Sequence, residues 1–90
     1  MEKVIISVVG KDTVGIIARV CTFLAESNVN INDISQTIIQ GYFNMMMIAD
    51  ISDCAMPLTT IQQNLDEIGE SLGVQIKCQR EEIFDKMHRI

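Results

Sequence analysis

Ninety residues, 48% of them hydrophobic, with seven Lys+Arg against twelve Asp+Glu and a net charge of −5, describe one globular domain. Such a surface repels phosphate backbones and anionic lipid, so nucleic acid and membrane are poor partners. A single histidine, His88, and three scattered cysteines leave no Ser-His-Asp, Cys-His or poly-histidine site with its parts. An enzyme would have to work with carboxylates, lysines or lone thiols, and no metal or cofactor is expected.

Lys3 to Gly10 reads as a strand, with Val4, Ile6 and Val8 on one face and Ile5, Ser7 and Val9 on the other. Lys11-Asp12-Thr13 then offers Asp12 or Thr13 as the cap of a helix running to about Ser27. Its apolar stripe is Ile17, Val20, Cys21 and Leu24, widened by Ile16 and Phe23. Ser27-Asn28 stops it, because both side chains compete for backbone hydrogen bonds. A second strand spans roughly Asn30 to Gln40. Ile31 and Ile34 have opposite parity there, which predicts a bulge near Asn32-Asp33.

Gln40-Gly41 turns the chain into a third strand, Tyr42 to Ser52, whose more apolar face carries Phe43, Met45, Met47, Ala49 and Ile51. Pro57 suits the first turn of a second helix, marked by Ile61, Leu65, Ile68 and Leu72 and ended by Gly73. Val74, Ile76 and Cys78 alternate with Gln75, Lys77 and Gln79 as a fourth strand. Ile83, Phe84, Met87 and Ile90 suggest a short amphipathic tail helix.

The order β-α-β-β-α-β with right-handed crossovers closes as an α+β, ferredoxin-like sandwich. It has a four-stranded antiparallel sheet with both helices on one face, plus the C-terminal helical tail. The expected division is a domain over 1–81 and a tail helix over 82–90. If the helices cover Val4, Ile6, Val8, Phe43, Met45 and Met47, the opposite face carries Ile5, Val9, Ile34, Ile38, Met46 and Ile48. So large an apolar patch calls for a second subunit or the tail to cover it. Met1-Glu2-Lys3-Val4 lacks a signal-peptide pattern, and the apolar run from Met45 to Ala49 is too short to span a bilayer. With the odd cysteine count, a cytoplasmic protein with reduced thiols is expected. Cys21 and Cys78 read as core residues and Cys54 as the reactive one.

Fold alone settles no function, so the motifs must. Gly10-Lys11-Asp12-Thr13-Val14-Gly15-Ile16-Ile17 begins like a phosphate-binding loop, but Ile16-Ile17 stand where Lys and Ser or Thr are needed. Gln40-Gly41-Tyr42-Phe43-Asn44-Met45 is a faint match to an RNA-stacking strand, without the basic residues that would track a backbone. The first loop has neither the paired cysteines of a metallochaperone nor the arginine of an acylphosphatase. Asp66, Glu67 and Glu70 read as a solvated helix face, and His88 as a surface tail residue.

Asp12-x-x-Gly15-x-x-Ala18 at the strand-to-helix junction, with Asn28-Val29-Asn30-Ile31-Asn32-Asp33-Ile34-Ser35-Gln36 after the helix, resembles the ACT domain across the whole chain. The loop is most similar to the ACT domains of the glycine-cleavage repressor and of formyltetrahydrofolate deformylase, and a stand-alone ACT module is expected. The resemblance implies a non-catalytic regulatory module. It would bind an amino acid or similar small metabolite at a subunit interface, as a homodimer or larger, and signal to a partner enzyme or regulator. It assigns Lys11, Asp12, Thr13, Val14, Gly15 and Asn30 as ligand-binding positions, the loop from one chain and the strand residue from its partner. Asn where Asp12 stands and Pro where Val14 stands are common in amino-acid-binding members, and this chain departs from both. Chemically, helix N-terminal N–H groups suit a carboxylate, Asp12 an ammonium, and Asn30 either. Plain structural roles stay open: a helix cap for Asp12 or Thr13, close packing for Gly15, a turn end for Asn30. The alternative function is a protein-interaction module without a small-molecule ligand.

Overall fold

The computed structural model describes residues 2–11 and 13–82. Along the chain it places β1 (Lys3–Lys11), α1 (Ile16–Glu26), β2 (Asn30–Ile39), β3 (Tyr42–Asp50), α2 (Leu58–Leu72) and β4 (Val74–Arg80). These form one antiparallel sheet in the order β2-β3-β1-β4, the ferredoxin-like arrangement. Alternation drives the two central strands. Val4, Ile6 and Val8 of β1 and Phe43, Met45, Met47 and Ala49 of β3 are buried together with both helices. The expected tail helix lies outside the described residues from residue 83 onward.

The predicted bulge is present. Ile31 pairs with Ala49 and Asp33 with Ile48, so Asn32 is the extra residue. That insertion resolves the parity conflict, with a consequence for the faces. Ile34 and Ile38 pair with Met47 and Phe43 and therefore lie on the helix side of the sheet, not on the opposite face expected for them. They stay exposed because β2 is an edge strand, and only Ile31 of its apolar residues packs on the core. The open face thus keeps Ile5, Val9, Met46 and Ile48 of the expected patch. Gln40 and Gly41 both have positive φ (52° and 81°), the tight hairpin turn whose twist matches the strands.

Three details of the helices differ from expectation. The buried stripe of α1 is Ile16, Val20 and Leu24, while Ile17 is exposed and Cys21 only half-buried. The helix ends in a backbone motif rather than through competing side chains. Asn28, in the left-handed region, donates to the Ala25 carbonyl (3.2 Å), and Val29 N–H donates to that of Leu24 (2.9 Å). Pro57 stands one position earlier than expected, as the extended N-cap residue of α2. Its carbonyl accepts from the N–H groups of Thr60 and Ile61. Gly73 ends α2 as predicted.

Candidate functional site

β1 remains paired as far as Lys11, opposite Tyr42, so the chain is still extended where a helix cap was expected. The Thr13 hydroxyl donates to the Lys11 carbonyl (3.2 Å) and caps nothing. Helix α1 starts only at Ile16, with Gly15 as its N-cap at φ 93° and no side-chain cap from the described residues. Thr13 as the cap is therefore corrected: pairing of β1 carries the junction past it, and the left-handed turn falls on glycine. Asp12 itself lies outside the described residues.

A Cβ on Gly15 would meet nothing within 4 Å, so its conformation, not close packing, demands glycine. Close packing belongs to Gly69 instead, where a Cβ would lie 2.7 Å from the Val74 carbonyl oxygen. The junction is thus an open loop. Lys11 and Thr13 are exposed, Val14 is 97% exposed, and among the described residues no side chain caps the first turn of α1. Uncapped N–H groups at a helix start favour an anion.

Asn30 opens β2 at an exposed position opposite Asp50. Its Nδ2 donates to Asn32 Oδ1 (3.0 Å). It borders a depression of about 370 Å³ shared with Ala25, Asn28, Val29 and Asp53. Asn28 was visible as part of the Asn28-Val29-Asn30 segment, but Asp53 comes from the loop after β3 and had no local sequence signal. The neighbouring Asp50 carboxylate accepts from the Ser52 hydroxyl (2.5 Å) and the Ser52 N–H (2.9 Å). Those bonds, with the Lys3 charge nearby, hold it below the usual carboxylate range.

Within one chain the two groups of candidate residues stand apart. Lys11 pairs with Tyr42 at the start of β3, and Asn30 pairs with Asp50 at its end. Eight residue steps at ~3.3 Å put the loop and Asn30 roughly 26 Å apart along the sheet. A small metabolite cannot touch both in one copy.

The two sheet edges also differ. At β4, Gln62 Nε2 donates to the Cys78 carbonyl (2.6 Å), and Gly69 brings α2 against the Val74 carbonyl. At β2 only Ile31 is half-buried, and every other residue is exposed. One edge is blunted by its helix, whereas the other is open for pairing.

A family model described as "ACT domain" matches residues 2–79. This chain belongs to the ACT-domain family. A UPF0237 protein of Bifidobacterium longum is 62% identical over 90 residues, covering 100% of both chains. The solved ACT domain protein from Streptococcus pneumoniae superposes with a TM-score of 0.80 at 42% identity, covering 93% of this chain and 94% of that one. A formyltetrahydrofolate deformylase from Pseudomonas syringae shares the fold, with a TM-score of 0.82 at 23% identity over 89% of this chain and 28% of that one. The similarity to that enzyme is one of fold. ACT domains are regulatory modules that bind small molecules. Among the described residues, no helix is long and apolar enough to cross a membrane.

Proposed function

We propose that this ACT domain is a non-catalytic sensor of an α-amino acid or a similar zwitterionic metabolite, held between two copies of the chain. The observation that carries the reading is the separation of the loop from Asn30 along β3. Two-fold pairing of the open β2 edges runs the strands antiparallel, so the Asn30 end of one copy meets the Ile39 end of the other. The partner's first loop sits at that Ile39 end, because Lys11 and Ile39 both pair with Tyr42. A two-fold dimer then builds two equivalent sites, each with a loop from one protomer and Asn30 from its partner.

The chemistry of the two halves is complementary. The first-turn N–H groups of α1 and the Lys11 ammonium suit a carboxylate, while Asp12 and the amide oxygen of Asn30 suit an ammonium. Val14 offers an apolar contact for the metabolite's side chain. Occupancy favours the paired state, and a partner enzyme or regulator reads the resulting shift.

A thermal-shift screen against the twenty amino acids and related metabolites tests this. Ligand at 100 times its Kd adds about 2.7 kcal/mol of stability, which is ~10 °C or more for a domain of this size. One clear hit names the effector. A flat panel on a cooperatively folding protein would instead favour a protein-interaction module working through exposed Ile34 and Ile38.

A further inference from the structure

We propose that the effector is an amino acid with an aliphatic side chain, because two copies pair with Gln36 on the two-fold axis and so line the site with isoleucines from both. This assignment rests on the two-chain site proposed above and adds the register of the pairing. A two-fold axis normal to the sheet opposes residues that share a face, so one residue of β2 meets its own copy. Residues 33–39 form the regular run between the bulge and the Gln40-Gly41 turn, with Gln36 at their centre. An axis at Gln36 pairs this whole run with its copy. The same axis opposes Ile34 with the partner's Ile38, and these two are 45% and 55% exposed in the single chain. Both lie on the helix side of the sheet, opposite buried Met47 and Phe43. An axis at Ser35 would set Ile38 against Asn32, and one at Thr37 would set Ile34 against Gln40. Only the Gln36 register both spans the run and matches apolar with apolar.

This register builds an apolar wall beside the first loop. Ile38 stands at the loop's end of the sheet, since it pairs with Phe43, next to the Tyr42 that pairs with Lys11. Ile17, in the first turn of α1, is 39% exposed. With Ile16, Val20 and Leu24 buried, Ile17 and Cys21 lie on the flank of α1 that a right-handed crossover from β1 turns toward β2. The wall therefore consists of Val14, Ile17 and Ile38 from one copy and the partner's Ile34. No charged residue of the paired run points to this side. Asp33 lies on the open face, opposite Ile48, and the helix side carries only Ile34, Gln36 and Ile38. A charged effector side chain would lose its water here without meeting a counter-charge, whereas an aliphatic one gains burial.

Two measurements on the full-length protein test this, one without any ligand. Directly opposed strand residues stand within disulfide reach, so under mild oxidation Gln36→Cys should link two chains. Ile39→Cys is the control, because this register separates its two copies by six residue steps, roughly 20 Å. The parent protein reports any linkage through Cys21, Cys54 or Cys78. Cross-linking at position 36 no faster than at position 39 overturns the register. Titration of the parent protein with single amino acids, read by thermal shift, tests the ligand class. Valine, leucine or isoleucine is expected to bind at least ~10-fold more tightly than alanine or serine. In Ile38→Ala that preference should shrink several-fold. Binding confined to polar or charged amino acids overturns the aliphatic class and leaves the two-chain sensor standing. No binding by any amino acid overturns the sensor reading and this class together, whatever the cross-linking shows.

Discussion

Replacing Gly69 by alanine isolates close packing of α2 on β4 from helix propensity, because the two effects have opposite signs. On propensity alone Gly69→Ala stabilises a helix interior by about 0.8–1.0 kcal/mol. Here the new methyl carbon would stand 2.7 Å from the Val74 carbonyl oxygen and 3.3 Å from Ile76 Cγ1. The nearer atom belongs to the backbone of a paired strand, so relief requires α2 to lift away from β4. The Gln62–Cys78 hydrogen bond, at 2.6 Å, ties the same two elements together and resists that movement. Overpacking of this kind costs typically 1–3 kcal/mol, and a rigid backbone obstacle argues for the upper part of the range. The net is a loss of about 1–2 kcal/mol, or roughly 5–15 °C in Tm for a domain of this size. Thermal unfolding followed by circular dichroism measures it, with Glu70→Ala as the exposed control on the same helix. A Tm at or above that of the parent protein would refute the close-packing argument and leave propensity as the dominant effect.

Two further expectations follow from the titrating groups. Burial pushes the Cys78 thiol up to about 11, so the folded state holds its proton more tightly than the unfolded chain. The sign makes stability fall as pH rises from the unfolded thiol value near 9 towards 11, and Cys78→Val should remove that slope in denaturant titrations. Asp50 is the opposite case, since hydrogen bonds from Ser52 favour its charged form. Its carboxyl should titrate below 3.8 by NMR in the parent protein and move back up in Ser52→Ala, while an unchanged midpoint would remove Ser52 as the cause.

Most of the fold was legible because the strong signals were local and repeated. Val4, Ile6 and Val8, and likewise Phe43, Met45 and Met47, alternate strictly. Gln40-Gly41 suits a turn with two positive φ values, and Gly73 a left-handed helix end. The parity clash between Ile31 and Ile34 even located the bulge. Its consequence for Ile34 and Ile38 was harder to read, because one inserted residue inverts every face assignment that follows it.

At the first loop, Thr13 has the chemistry of a cap, yet a cap is worth only about 1 kcal/mol. Continued pairing of Lys11 with Tyr42 outweighed it, and that contact is not local in sequence. In α1 apolar residues fill too wide an arc for periodicity to choose between Ile16 and Ile17 as the buried one. Cys21 lies at the margin of that arc and is half-buried, while Cys54 packs against the core more than a loop cysteine was expected to. The resemblance named the candidate positions and divided them between two chains; their separation along β3 comes only from strand register, which no local sequence signal carries.

Complementation between two defective variants tests the two-chain site most directly. Asp12→Ala and Asn30→Ala should each abolish binding of the amino acid found by thermal shift, while both proteins remain folded. Mixed and allowed to exchange subunits, they form heterodimers in which one site takes both of its residues from unaltered positions and the other takes neither. Random exchange into two-fold dimers predicts recovery of about a quarter of the parent binding capacity, at parent affinity, by isothermal titration. No recovery after verified subunit exchange would place the loop and Asn30 in separate roles and contradict the shared site.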